Sequence, residues 1–128
     1  MGKHVVSTEA APAAAGPYSQ AIKAKGLVFI SGQLPLHPVT GAMPDGVAAQ
    51  TAQSLANIEA ILAAEGLNMG DVVKCMVFLT DMDRFGEMNA VYADAFDDAA
   101  PARSAYQVVR LPKDALVEIE AIAVEREH

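Results

Sequence analysis

An arginine and two carboxylates interrupt an otherwise apolar, strand-like stretch late in the chain. Residues 101–114 read PARSAYQVVRLPKD and continue as ALVEIEAIA to position 123. Arg103 carries a planar fork of N–H donors that matches a carboxylate bidentately. Glu118 and Glu120 can move a proton to or from water. Together these groups can hold a small anion and activate a water beside it. Along 115–123 the residues Ala115, Val117, Ile119, Ala121 and Ala123 share one face, and Leu116, Glu118, Glu120 and Ile122 the other. Along 103–110 Arg103, Ala105, Gln107 and Val109 share a face. Pro112 and Asp114 are turn residues, so the two runs are expected to form a hairpin. With Arg110 opposite Ala115, Gln107 lies opposite Glu118, and Arg103, Gln107, Glu118 and Glu120 point to one side. The arrangement depends on that register, because a slip of one residue inverts the faces.

Other reactive side chains fit bland roles better. Cys75 lies within an apolar strand pattern and is expected in the core. His4, His37 and His128 have no ligand spacing, so no metal site is expected. Asp97 and Asp98 suit a solvated helix end. From strand pattern alone, Arg103 suits a rim ion pair, and Glu118 and Glu120 an exposed edge.

The elements that must position these groups follow from periodicity. A short strand is expected at 4–7 and a loop at 11–17. Residues 18–23 and 27–31 form a hairpin around Lys25-Gly26. A long loop over 32–46 holds three of the seven prolines, a length that points to a functional or assembly role. Residues 47–65 form a helix with Leu55, Ile58 and Leu62 in its stripe, Asp45 as its cap and Gly66 at its end. Residues 71–80 alternate Val73, Cys75, Val77 and Leu79 against Val72, Met76 and Phe78, so a central strand is expected. A second helix runs from Asp81, or from Thr80 with Asp83, to about Phe96, burying Phe85, Met88, Tyr92 and Ala95. The order β-β-β-α-β-α-β-β implies one mixed sheet with two helices on one face. The apolar residues of the other face call for subunit association.

Bulk properties narrow the function classes. A chain of 128 residues that is 52% hydrophobic supports one domain with a sizeable core. Its net charge of −7, with nine scattered basic residues, disfavours nucleic acid as a partner. The single cysteine allows no internal disulfide and suits a reducing cytoplasm. No run of apolar residues is long enough to span a membrane. The Ala-rich start is broken by Pro12 and lacks a leucine-type core, so no signal peptide is expected.

Several separated motifs, in order, resemble the reactive intermediate deaminase (RidA, YjgF-type) family across the whole chain. They are APAAAGPYSQA at 11–21, ISGQLP at 30–35, Met88-Asn89 with Tyr92, and the block 101–123. The resemblance implies a single domain over 1–128 with an α+β, chorismate-mutase-like fold: a mixed six-stranded sheet, two helices on one face, assembled as a homotrimer. It implies active sites at the clefts between subunits, without cofactor or metal. The implied activity is hydrolysis of enamines and imines of the 2-aminoacrylate and 2-iminopropionate type to 2-oxo acids and ammonia. Arg103 matches the arginine that binds the substrate carboxylate, and Glu118 the acid that positions water. Tyr18, Ser31, Gly32 and Asn89 match the rest of the pocket. Ala105 stands where many members have cysteine; its backbone is expected to contact substrate. Ala100 stands where a bulky residue is common. Alternatives are a deaminase for a specialised substrate such as 2-aminomuconate, or a non-catalytic binding or holdase-type trimer.

Overall fold

The alternation over 115–123 is realised in full: Ala115, Val117, Ile119, Ala121 and Ala123 are all buried. In the computed structural model, which describes residues 2–126, most of them lie in strand β6 (Val117–Val124). His128, named above, lies outside the described residues. Upstream come β1 (His4–Val6), β2 (Ala21–Ala24), β3 (Leu27–Gln33), α1 (Val47–Ala63), β4 (Val72–Leu79), α2 (Phe85–Asp94) and β5 (Ala102–Gln107). The strands form one sheet in the order β1-β2-β3-β6-β4-β5. Strand β5 runs parallel to β4, and the other pairings are antiparallel.

The expected hairpin between 103–110 and 115–123 does not form. Strand β5 pairs only with the far edge of β4, while β6 lies between β3 and β4. The unit β4-α2-β5 is a parallel strand–helix–strand crossover, which gives α2 a place on the sheet. Residues 108–116 then pass over the end of β4. Val108 N–H donates to the Leu79 carbonyl (2.7 Å) and Thr80 N–H to the Leu116 carbonyl (3.2 Å), pinning that passage on both sides.

The hairpin between β2 and β3 turns at Lys25 and Gly26, both with positive φ (54° and 79°), the two-residue turn whose twist suits paired strands. Strand β3 extends beyond the expected end to Gln33, with a register shift between Ile30 and Gln33. A second shift between Val72 and Lys74 of β4 buries Val72 and exposes Val73, the reverse of strict alternation.

Helix α1 buries Leu55, Ile58, Ile61 and Leu62 against the sheet, together with four polar residues. Among these, Asn57 Nδ2 donates to the carbonyls of Leu34 (3.1 Å) and Leu36 (3.0 Å). Gln50 Nε2 donates to the Pro44 carbonyl (3.0 Å), and its Oε1 accepts from Leu116 N–H (2.8 Å). The helix thus ties down the long loop and the entry to β6. Asp45 does not cap it. Gly46, at φ 87°, is the N-cap residue, and the helix starts one residue later than a side-chain cap at Asp45 would require. The helix stops at Ala63 rather than 65, and Gly66 (φ 72°) turns the chain away. Helix α2 starts at Phe85, after a tight turn over Met82–Arg84 in which Asp81 Oδ1 accepts from Asp83 N–H (3.0 Å).

The two sheet faces differ in chemistry. On the helix side a row of directly paired residues, Val6, Ala21, Ile30, Ala121 and Cys75, is buried, and ends at Arg103 on the edge strand. On the open side the adjacent row is Val5, Ile22, Phe29 and Ile122, of which Val5 is 65% and Phe29 42% exposed.

Candidate active site

Direct partners across a sheet point to the same face. Arg103 pairs with Cys75 on the helix side, whereas Glu118 pairs with Phe78, and Glu120 with Met76, on the open side. Arg103 and Glu118 therefore leave the sheet in opposite directions. The expectation that Arg103, Gln107, Glu118 and Glu120 share one side fails with the hairpin. Gln107 is engaged elsewhere: its Oε1 accepts from Met82 N–H at 2.7 Å.

The open face holds one half of the residue set. Tyr18, Ser31, Gly32 and Glu118 line a cleft of about 630 Å³, with Phe78 and Glu120. Burial pushes the Glu118 carboxyl above its ordinary range, and the neighbouring Glu120 charge pushes it further. Gly32 is needed here for space. A Cβ on it would lie 2.9 Å from Glu118 Cδ and 3.1 Å from Oε1. Gly32→Ala is expected to turn the Glu118 side chain away; if Glu118 acts on the substrate, kcat is expected to fall at least tenfold, as misplacement of a reacting group by about 1 Å does. Steady-state kinetics alongside a melting curve will separate this from unfolding.

Two polar side chains build the cleft wall. Ser31 Oγ–H donates to the Ser19 carbonyl (2.6 Å), so this hydroxyl ties β3 to the segment carrying Tyr18. The buried Gln20 accepts from Thr8 N–H (2.7 Å) and donates to the carbonyls of Ala11 (3.2 Å) and Pro12 (2.8 Å), holding the loop that precedes Tyr18. Tyr18 is 53% exposed, and its hydroxyl accepts from Ala15 N–H at 3.4 Å.

Lys113 also lines this cleft and escaped the reading of the sequence, which took it as a turn residue. It and Asp114 both have positive φ (59° and 58°) without being glycine, at about 1–2 kcal/mol each. Hydrogen bonds from Asp114 N–H to the Leu111 carbonyl (3.1 Å) and from Ala115 N–H to the Pro112 carbonyl (3.2 Å) hold the turn. Pro112 and Asp114 mark the turn in the sequence, but nothing in the side-chain pattern marks its positive φ values.

The helix side holds the other half. Asn89, Tyr92 and Arg103 line a cleft of about 510 Å³. Arg103 Nη1–H donates to Asn89 Oδ1 at 2.7 Å. The guanidinium carbon lies 4.7 Å from the centre of the Tyr92 ring and 5.4 Å from that of Phe85. Ala105, paired with Val77, faces the same side and packs on the core. Beneath Arg103, burial pushes up the titration of both the Tyr92 hydroxyl and the Cys75 thiol. Cys75 is thus a neutral core thiol, as its place in the strand pattern predicts. Among the described residues no group of three His, Cys, Asp or Glu side chains could hold a metal ion.

A mixed sheet with two helices on one face and ionisable groups at half-open clefts on both sides defines an α+β domain of the chorismate-mutase-like type. A family profile described as Endoribonuclease L-PSP matches residues 8–125. The chain is 54% identical over 122 residues to a RutC family protein of Pyrococcus horikoshii, covering 94% of this chain and 97% of that protein. It is 49% identical over 124 residues to the 2-iminobutanoate/2-iminopropanoate deaminase of Escherichia coli, covering 94% and 97%. The crystal structure of E. coli TdcF with bound serine superposes with a TM-score of 0.92 at 46% identity, covering 96% of this chain and 99% of that one. That of the E. coli YjgF gene product gives 0.92 at 48% identity, with the same coverage. The chain belongs to the RidA (YjgF-type) family of reactive intermediate deaminases.

Proposed function

We propose that this protein hydrolyses 2-imino acids and their enamine tautomers of the 2-aminoacrylate and 2-iminopropionate type to 2-oxo acids and ammonia. The observation that carries the proposal is the division of charge across the sheet: a half-buried carboxylate beside Gly32 on one side, and on the other a half-buried guanidinium that pairs with no carboxylate among the described residues. Each half is incomplete, and a second copy can complete it.

In this reading the Arg103 fork binds the substrate carboxylate and fixes the plane of the adjacent C=N unit. An enamine first gains a proton at carbon and becomes the imine. Glu118 then takes a proton from water as the oxygen attacks the imine carbon. From the protonated imine this addition gives a neutral carbinolamine; Glu118 returns the proton to its nitrogen and then takes the hydroxyl proton as the C–N bond breaks, so the hydroxyl oxygen becomes the carbonyl of the 2-oxo acid and ammonia leaves. The imine carbon is intrinsically electrophilic, so modest acid–base catalysis is sufficient.

The open apolar row of Val5, Ile22, Phe29 and Ile122, with the exposed Tyr106, supports subunit association through this face. A head-to-tail contact of different surfaces closes into a ring. A homotrimer in which the Arg103 side of one subunit meets the Glu118 cleft of the next completes three equivalent sites. The net charge of −7 supports a small-molecule substrate over a polyanion. Among the described residues no helix is long and apolar enough to cross a membrane. The buried lone thiol suits a reducing cytoplasm.

Mixed oligomers test the shared site. Arg103→Ala and Glu118→Gln proteins are unfolded together in equal amounts and refolded. Random assembly gives each site a wild-type Arg103 and a wild-type Glu118 from different copies with a probability of about one quarter, and so about a quarter of wild-type activity. Activity no higher than that of the separate variants, with mixed oligomers present by mass spectrometry, would refute a site shared between copies.

A further inference from the structure

Helix α2 presents Phe85, Asn89 and Tyr92 at i, i+4 and i+7, one face of the helix, and that face closes on Arg103. The sequence pattern accounts for Phe85 and Tyr92 as core residues. Tyr92 is 5% exposed and stacks at 4.8 Å on Phe96, as core packing predicts, but its ring also lies under the guanidinium.

We propose that Phe85 and Tyr92 are positioning residues, a neutral aromatic clamp that holds the Arg103 guanidinium ready for a substrate carboxylate without neutralising it. The inference rests on the reading of Arg103 as the carboxylate anchor. Two observations converge on it. Among the described residues Arg103 pairs with no carboxylate. Everything that grips it is uncharged: two ring faces, which attract a cation electrostatically, and the Asn89 carboxamide oxygen, which takes a single N–H. An aspartate or glutamate in their place would orient the side chain equally well and compete with the substrate for the same donors. A ring face instead restricts the guanidinium plane while its in-plane N–H groups stay free.

The hydroxyl of Tyr92 is not part of the clamp. It is buried, lies beside Cys75, and has no well-aligned hydrogen-bond partner. The ring, not the oxygen, therefore carries the effect, and phenylalanine is the conservative replacement.

The test uses the full-length oligomer and four variants: Tyr92→Leu, Tyr92→Phe, Phe85→Leu and Arg103→Ala. Imine is generated in situ by an amino-acid oxidase, and its hydrolysis is followed over a range of concentrations. Pyruvate binding, measured by titration calorimetry, gives a stable carboxylate probe. Tyr92→Leu is expected to weaken pyruvate binding and raise KM about tenfold, with kcat within about threefold, because the clamp serves ground state and transition state alike. Phe85→Leu, at the longer distance, is expected to give a smaller change of the same kind. Tyr92→Phe is expected to restore KM to near the wild-type value. The Arg103 Nε–H proton resonance, shifted by the ring currents, is expected to move in the leucine variants and stay in Tyr92→Phe, which a purely structural role for the ring would not require.

If Arg103→Ala raises KM but Tyr92→Leu, still folded, does not, the clamp is refuted and the anchor stands. If Arg103→Ala leaves KM and pyruvate binding unchanged, the anchor itself fails. A KM for Tyr92→Phe as high as that of Tyr92→Leu would assign the effect to the hydroxyl and overturn the aromatic clamp. Should Tyr92→Leu fail to fold, Phe85→Leu decides by the same readouts, since Phe85 is only partly buried.

Discussion

Arg103→Ala is expected to raise KM for a small 2-imino acid by about thirtyfold to several thousandfold, equivalent to about 2–5 kcal/mol of lost carboxylate binding. The guanidinium is half-buried at the end of an apolar row, where Asn89 and two rings hold it and no carboxylate among the described residues pairs with it. Its removal takes away a bidentate, partly desolvated partner that solvent cannot replace. The side chain lies at the edge strand, so the sheet is expected to survive, and a melting curve close to that of the wild type accompanies the kinetic loss. The measurement is ammonia release from an imine generated by an oxidase or dehydratase, as a function of imine concentration. An unchanged KM in a folded variant would remove Arg103 from the site.

Glu118→Gln is expected to act on the other kinetic parameter. The amide has nearly the shape of the carboxylate and fits the space left by Gly32, where a Cβ would displace the Glu118 side chain. It cannot take a proton from water. A loss of about 10²–10⁴ in kcat with little change in pyruvate binding is the expected pattern. The wild-type pH profile carries the same signature. Burial, and then the charge of Glu120, hold the Glu118 carboxyl above the ordinary range. In the proposed mechanism Glu118 acts in its ionised form, so activity is expected to be complete above that raised value and to be lost as pH falls through it. Glu120→Gln removes the neighbouring charge, lowers the pKa of Glu118 and moves the acidic limb to lower pH. A limb that stays in place in Glu120→Gln would show that some other group titrates.

The two predictions separate because the two residues sit on opposite faces of the sheet, a fact with no counterpart in the linear order. The sequence by itself determined what is local. Period-two alternation marked β6 and its core face, because each side chain of a strand reports its own side. Lys25-Gly26 marked a hairpin, because few residue pairs accept positive φ in succession. The stripe Leu55, Ile58, Leu62 marked α1, and the separated motifs from Tyr18 to Glu118 marked the family. Which strand lies beside which was decided only in three dimensions. A strand's hydrogen-bonding edges consist of backbone alone and carry no residue label, so β5 could satisfy its alternation beside β6 or beside β4. The helix between β4 and β5 made the parallel crossover the one that buries both, and that choice sent Arg103 under α2 and away from Glu118. The bulges at Ser31-Gly32 and at Val72-Val73 were invisible for a related reason: one extra residue inverts the faces beyond it without changing composition. The space Glu118 occupies over Gly32 and the rings around Arg103 are likewise products of packing between distant segments, and there the chemistry is set.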